Sequence, residues 1–110
     1  IDDRKKDLVI SGGENIYPAE LENVLAGSAL FVEAAVVGIP DDRWGEIPIV
    51  VAAQDSGKAQ DSEAVLNLFT GQVAPFKVPK KVFWVDALPR NVMGKVLKHE
   101  IRDMLKDKKL

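Results

Sequence analysis

The sequence predicts an α+β fold, in which a small three-stranded sheet packs with about three helices. Two observations predict this class, and a third adds an N-terminal two-stranded hairpin. Apolar, β-rich runs of strand length occur at residues 32–39, 47–53 and 82–85. Apolar residues at helical spacing occur in other segments, at 18–26, from 61 and from about 96. These elements come in runs rather than in strict alternation, which favours α+β over α/β.

The N-terminal hairpin is predicted from an abrupt change of residue type. The charged run Asp3–Asp7 gives way to the apolar run Leu8–Ile10, which predicts the first strand. Ser11–Asn15 then forms a turn, because its paired glycines accept positive φ and leave backbone N–H groups uncovered. Pro18 follows where a helix can start without a backbone N–H. The segment is therefore a hairpin with a glycine tip that leads into a helix.

The remaining elements follow from hydrophobic spacing and from residues that end helices or strands. The strand at 32–39 has consecutive apolar positions, so we expect burial on both faces. Pro48 should place the start of the next strand at an edge or a bulge. Asp61 or Ser62 can cap the second helix, and Pro75 ends it. The predicted buried stripes of the three helices are Leu21, Val24 and Leu25; Val65, Leu68, Phe69 and Val73; and Leu97, Ile101, Met104 and Leu105.

Composition limits the kinds of site that this domain can carry. The chain has no cysteine and a single histidine, His99, which excludes disulfides, thiolate catalysis and a cysteine or multi-histidine metal site. A net charge of -2 gives no overall field that favours nucleic acid or acidic membranes. No apolar run approaches the ~20 residues of a membrane span, and there is no signal peptide, so we expect a cytoplasmic protein. Because the chain starts at Ile1 without Met, we expect a piece of a longer protein.

Two motifs resemble those of a known superfamily. The first is Asp-Arg-x-Lys-Asp at 3–7, followed by Ser-Gly-Gly-Glu-Asn-Ile-Tyr-Pro at 11–18 and Glu-Leu-Glu at 20–22. The second, at 89–98, is similar to Pro-[Arg/Lys]-x-x-x-Gly-Lys-[Val/Ile]-x-[Arg/Lys]. Together they resemble the C-terminal domain of the adenylate-forming enzymes, which comprise acyl-CoA synthetases, adenylation domains of nonribosomal peptide synthetases and beetle luciferases. The resemblance covers essentially the whole chain and is strongest to acyl-CoA synthetases of the fatty-acid–CoA ligase type.

The resemblance implies that Lys95 is catalytic. Its ammonium would contact the acyl carboxylate and the α-phosphate during adenylation. A cation just before a helix start opposes the macrodipole, so Lys95 is poorly placed as a stabiliser. Lys6 matches the hinge about which the domain rotates between an adenylating and a thioester-forming pose, and Arg4 matches an arginine associated with the nucleotide ribose. Without the resemblance, Lys6 and Arg4 would be interpreted as members of a solvated charged run.

The resemblance also implies a path for coenzyme A. The turn that contains Ser11, Gly12, Gly13 and Glu14 matches the loop that lines the pantetheine tunnel in the second pose. Trp44 and Phe76 match aromatic positions that lie beside the CoA adenine in some CoA ligases, where a ring face suits stacking. Both aromatic side chains could equally fold back onto the core. The sequence departs from such relatives at Val78, where an arginine can contact a CoA phosphate.

As a whole, residues 1–110 are expected to be the C-terminal lid domain of an acyl-CoA synthetase. By this resemblance, the full enzyme would convert a carboxylic acid, expected to be a fatty acid, with ATP, Mg²⁺ and CoA to acyl-CoA, AMP and pyrophosphate. Its N-terminal domain would bind ATP and the acid. We expect the 110 residues alone to bind no cofactor and to be inactive, and we expect no nucleic acid partner.

Three alternatives remain open at this point. A peptide-synthetase adenylation domain would transfer the acyl group to a carrier protein, and a comparison of CoA with carrier-protein acceptors separates the two. A non-catalytic interaction module would need neither Lys95 nor the glycine turn. The third alternative is nucleic-acid binding through Lys98, Arg102 and Lys106. The chain has no net positive charge and no aromatic residues interleaved with these basic ones. Salt-dependent retention on DNA or RNA would test this alternative.

Overall fold

A computed structural model describes residues 8–106. The chain opens with a hairpin of β1 (Val9–Ser11) and β2 (Glu14–Ile16), which pair antiparallel. Its two-residue tip has positive φ at both positions, +60° at Gly12 and +82° at Gly13. A two-residue hairpin turn of this kind suits the right-handed twist of its strands and needs residues that tolerate positive φ. The paired glycines thus account for the predicted turn.

The central feature is a long antiparallel pair, β3 (Glu33–Asp41) and β4 (Gly45–Ala53), whose register runs over nine residue pairs. A short strand, β5 (Val82–Val85), adds to β4 in parallel. The N-terminal hairpin joins the same sheet, because β1 pairs with β4 at Ser11 and Gly45. The predicted α+β class is confirmed, but the three-stranded sheet and the hairpin are one five-stranded mixed sheet.

Pro48 lies inside β4 rather than at its start. Two residues later, the N–H of Val50 donates to the carbonyl of Lys81 on the β5 side, at 2.9 Å. The nitrogen of Pro48 faces that same side, since alternate residues of a strand point their N–H groups alike. The pairing of β1 with β4 lies at Gly45, and the pairing of β5 with β4 begins at Val50. Neither neighbouring strand therefore requires a backbone N–H from residue 48. The proline is therefore tolerated in a central strand.

Helices cover both faces of the sheet. On one face lie α1 (Pro18–Leu25) and α2 (Ser62–Asn67), and on the other lies α3 (Lys98–Lys106). Consecutive residues of β3 enter opposite apolar clusters, as expected for a strand buried on both faces: Val36 packs towards α1, whereas Ala35 and Val37 pack towards α3. No helix in residues 8–106 has the length and apolar character that crossing a bilayer requires.

The second and third helices differ from their sequence predictions. α2 ends at Asn67, although Phe69 beyond it is fully buried and Val73 is partly buried. α3 begins at Lys98 rather than near Val96, because Val96 forms an antiparallel bridge with Arg90. Met104, predicted for the buried stripe of α3, is exposed.

Candidate functional site

Lys95 lies in a tight loop that precedes α3. The loop is closed by the bridge between Arg90 and Val96 and by a hydrogen bond from the Asn91 N–H to the Lys95 carbonyl, at 3.0 Å. Gly94, directly before the lysine, has φ +85°. The Lys95 side chain is exposed. The structure therefore places this lysine at the surface, on a short hairpin that closes on itself.

Two side chains inside the loop fix its shape. The Asn91 carboxamide oxygen accepts hydrogen bonds from the backbone N–H groups of Met93, at 2.9 Å, and Lys95, at 3.0 Å. The Arg90 guanidinium donates to the Gly94 carbonyl at 2.6 Å. The peptide group between Gly94 and Lys95 is thus held at both its carbonyl and its N–H by polar side chains of the same loop. Neither Arg90 nor Asn91 has a role predicted from the sequence, although both lie within the second motif.

Arg90 also attaches the loop to the sheet. Its guanidinium forms an ion pair with Glu33, the first residue of β3. At the tip of the loop, Val92 and Met93 expose 103% and 85% of their surface. The loop therefore presents an apolar tip and an exposed cation at the end of the sheet where β3 begins.

The glycine turn and Trp44 form one continuous surface. The Gly12 N–H donates to the Trp44 carbonyl at 2.8 Å, and a Cβ built on Gly12 would lie 2.7 Å from a ring carbon of Trp44. The ring remains 43% exposed, and the Arg43 guanidinium lies 5.1 Å from its centroid. A Cβ on Gly13 would meet nothing within 4 Å. The indole thus leaves no room for a side chain at Gly12, whereas Gly13 faces open space.

The two polar residues that flank the glycines differ in exposure. Ser11 is 8% exposed and pairs with Gly45, whereas Glu14 is exposed. Close to them, the Asp41 carboxylate accepts from the N–H groups of Arg43, at 3.0 Å, and Trp44, at 2.8 Å. The turn that carries Trp44 is therefore ordered by its own carboxylate.

Phe76 belongs to a different part of the surface. It lies in a short 3-10 turn, Pro75–Lys77, and is 42% exposed. The Lys77 ammonium lies 5.7 Å from the Phe76 ring and pairs with Glu20 of α1 at 2.8 Å. Val78, where relatives can carry an arginine, packs against the core. Phe76 thus lies beside a lysine that pairs with α1, whereas Trp44 contacts the glycine turn.

The structure does not bring Lys95 and the glycine turn together. Arg90 anchors the lysine loop at Glu33, while the glycine turn packs where β4 begins, opposite Asp41. Eight residue steps along β3 separate Glu33 from Asp41, a distance of about 26 Å at ~3.3 Å per step. The glycine turn and the loop that carries Lys95 therefore lie at opposite ends of the β3–β4 pair.

A cavity of about 590 Å³ lies between α3 and the β3–β4 pair. His99, for which the sequence predicts no role, lines this cavity. The charged and titratable lining residues carry both signs: Asp41, Glu46, Lys81, His99, Arg102 and Asp103.

Residues 8–106 contain no group of three or more His, Asp or Glu side chains arranged to hold a metal ion. The predicted hinge Lys6 and the predicted ribose contact Arg4 lie outside the described residues.

Comparison with known proteins gives a consistent set of relatives. The family model of the AMP-binding enzyme C-terminal domain matches residues 20–95. The chain is 48% identical over 105 residues to the indoleacetate–CoA ligase of Aromatoleum aromaticum. This match covers 96% of the chain and 21% of the relative. It is 45% identical over 103 residues to the long-chain-fatty-acid–CoA ligase FadD13 of Mycobacterium tuberculosis, covering 94% of this chain and 20% of that one.

Among solved structures, ATP-bound MatB from Rhodopseudomonas palustris superposes with a TM-score of 0.86 at 47% identity. The match covers 94% of this chain and 20% of MatB. The chain thus spans about a fifth of the length of the relatives it matches.

Proposed function

Because the chain belongs to the family of AMP-binding enzyme C-terminal domains, we propose that it is the mobile lid of an ATP-dependent acyl-CoA ligase. The full-length protein would join a carboxylic acid to CoA through an acyl-adenylate, releasing pyrophosphate and AMP. The lid would present Lys95 during adenylation and the glycine turn during thioester formation. The observation that carries this proposal is the position of the glycine turn and the Lys95 loop at opposite ends of the β3–β4 pair.

Lys95 would act as a preorganised positive charge. Its backbone is held by the Asn91 carboxamide, and the Arg90 guanidinium holds the carbonyl that precedes it. An ordered cation aimed at developing negative charge stabilises a transition state without reorganising as the reaction proceeds. In the proposed adenylation step, the acid's carboxylate oxygen attacks the α-phosphorus, pyrophosphate leaves, and Lys95 contacts the carboxylate and the α-phosphate.

The glycine turn would act after the domain has rotated. Gly13 lacks a side chain where the structure leaves open space, which suits close passage of a thin pantetheine arm. Ser11, Gly12 and Glu14 complete the turn. Trp44, whose exposed ring lies on Gly12, offers a flat face for the adenine beside that path. Phe76 is a second stacking candidate, on the surface next to α1.

The other parts of the reaction are assigned to the rest of the full-length protein. Its N-terminal portion would bind ATP, Mg²⁺ and the acid, so the isolated 110 residues should not turn over. Arg4 would contact the ribose and Lys6 would be the hinge. The relatives are named for indoleacetate and long-chain fatty acids, so a panel of indoleacetate and fatty acids of several lengths is the first substrate test. Thioester formation with free CoA would exclude an obligatory carrier-protein acceptor.

Two substitutions in the full-length enzyme test the alternating roles. Lys95→Ala should slow adenylation, measured as pyrophosphate release, by at least ~10²-fold, the scale of one lost preorganised contact. Thioester formation from supplied acyl-adenylate should stay near normal. Gly13→Leu should do the reverse, because it narrows the tunnel and strains a backbone with φ +82°. Lys58→Ala, at an exposed lysine paired with Asp55, is the control. If Lys95→Ala slows both steps alike, the alternating lid is wrong.

A further inference from the structure

Glu22 joins three layers of the domain through one carboxylate oxygen. The residue lies in α1, and its Oε2 accepts a hydrogen bond from the Val36 backbone N–H of β3 at 3.0 Å. The same oxygen lies 2.9 Å from the Lys98 ammonium, at the start of α3. α1 and α3 cover opposite faces of the sheet. The carboxylate therefore reaches around the edge of the sheet to connect them.

The contact with Val36 explains why the carboxylate is at this edge. Val36 pairs with Val50, whose N–H points away from β3 to the Lys81 carbonyl. In such an antiparallel pair both residues direct their N–H groups outwards, so the Val36 N–H faces the outer side of β3. Within residues 8–106, β3 pairs only with β4, so the side of β3 that faces away from β4 is an edge of the sheet. An unpaired backbone N–H at a sheet edge can pair with another strand. Here the Val36 N–H donates to the Glu22 carboxylate instead.

The contact with Lys98 compensates an unfavourable charge position. Lys98 is the first residue of α3, where the macrodipole disfavours a cation. Its side chain is 15% exposed and that of Glu22 is 29% exposed. A charge so far removed from water requires a close counter-charge. Glu22 supplies it, although Glu22 and Lys98 lie 76 positions apart in sequence and in different motifs.

We propose that Glu22 and Lys98 are positioning residues for Lys95; this inference rests on the proposed function. The loop from 89 to 98 is tied near both of its ends, once to β3 directly and once to the carboxylate that binds β3. Arg90, near the start of the loop, pairs with Glu33. Lys98, at its end, pairs with the Glu22 carboxylate. Lys98 follows Lys95 by three residues, so release of this tie frees the backbone that aims the catalytic ammonium.

The test uses the full-length enzyme with the fatty acid or indoleacetate that it turns over fastest. Glu22→Gln keeps an acceptor for the Val36 N–H but removes the counter-charge of Lys98. Adenylation should fall by about tenfold or more, because a misplacement of ~1 Å at a reacting group can cost on the order of 100-fold. Thioester formation from supplied acyl-adenylate should stay within about twofold, on the scale of the same principle. Lys98→Met should reproduce the effect, and Lys98→Arg should largely preserve activity.

The matched control is Glu20→Gln, on the same helix, which breaks the ion pair with Lys77 and should leave adenylation unchanged. The double variant Glu22→Gln/Lys98→Met should be no slower than the worse single variant, because both changes remove one interaction. Equal loss in both half-reactions, or additive losses in the double variant, would show a merely structural pair and overturn the inference. If Lys95→Ala slows adenylation but Glu22→Gln does not, the inference alone fails. If Lys95→Ala has no effect, the proposed function fails first and the inference with it.

Discussion

The contact between Gly12 and Trp44 yields a prediction that separates two adjacent glycines. Both have positive φ, +60° at Gly12 and +82° at Gly13, so an alanine at either position adopts a strained backbone. Only Gly12 lies under a side chain: its Cβ would be 2.7 Å and 3.0 Å from two ring carbons of Trp44. Carbon atoms in contact prefer ~3.5–4.0 Å. Gly12→Ala must therefore displace the indole by about 1 Å, whereas Gly13→Ala displaces nothing.

The magnitudes follow from these two effects. Left-handed backbone costs an L-residue about 1–2 kcal/mol, which applies to both variants. Overpacking adds about 1–3 kcal/mol and applies only to Gly12→Ala. At roughly 4 °C for each kcal/mol in a domain of this size, Gly12→Ala should melt at least about 4 °C below Gly13→Ala.

The assay is thermal unfolding of the 110-residue chain, followed by circular dichroism, for each glycine variant in two backgrounds. In the Trp44→Ala background the ring is absent, so the two alanine variants should melt within about 1 °C of each other, less than the ~4 °C that 1 kcal/mol represents. Equal melting temperatures with Trp44 present would refute the packing argument. A difference that persists after removal of the ring would refute it as well.

Three further outcomes follow from the structure and the proposed function. Gly38→Ala places a Cβ 2.8 Å from a methyl carbon of the buried Val9, so it should lower the free energy of unfolding by about 1–3 kcal/mol in urea, and Val9→Ala should restore part of it. Asn91→Ala removes the acceptor for the Lys95 N–H and should slow adenylation, whereas Asn91→Asp keeps an acceptor and should slow it less. Lys6→Pro fixes φ near -65° and should abolish overall turnover of the full-length enzyme while pyrophosphate release in the first half-reaction largely persists; equal damage to both half-reactions would contradict a hinge.

The elements that the sequence predicted well are those with local signals. Consecutive apolar residues in β3 and the helix start at Pro18 depend on neighbours in sequence, and both appear in the structure. The single pair between Ser11 and Gly45 has no local signal. It makes the hairpin part of the main sheet, and only the folded chain reveals it. The start of α3 was misplaced for a related reason, because Val96 continues the apolar spacing of the helix yet pairs with Arg90.

The candidate site shows the same limit. The resemblance indicated the glycine turn and Trp44 as separate parts of a CoA path, but their contact joins residues 32 positions apart. Likewise, the exposed position of Lys95 on a turn follows from local sequence, whereas its support does not. The ion pair of Arg90 with Glu33 joins residues 57 positions apart. Spacing within a motif cannot indicate which distant carboxylate a basic residue will meet.

Membership in a motif is therefore insufficient to decide which charged residue acts on a ligand. The sequence argument for Lys95 was that a cation near a helix start opposes the macrodipole, and it applies with more force to Lys98, the first residue of α3. The structure distinguishes the two by their surroundings. The Lys98 side chain is 15% exposed beside the Glu22 carboxylate, so its charge is compensated within the domain. Lys95 is exposed on a loop whose backbone two neighbouring side chains hold. An exposed ammonium on an ordered backbone fits the adenylation role proposed for Lys95, and a half-buried ammonium beside a carboxylate fits the anchoring role proposed for Lys98.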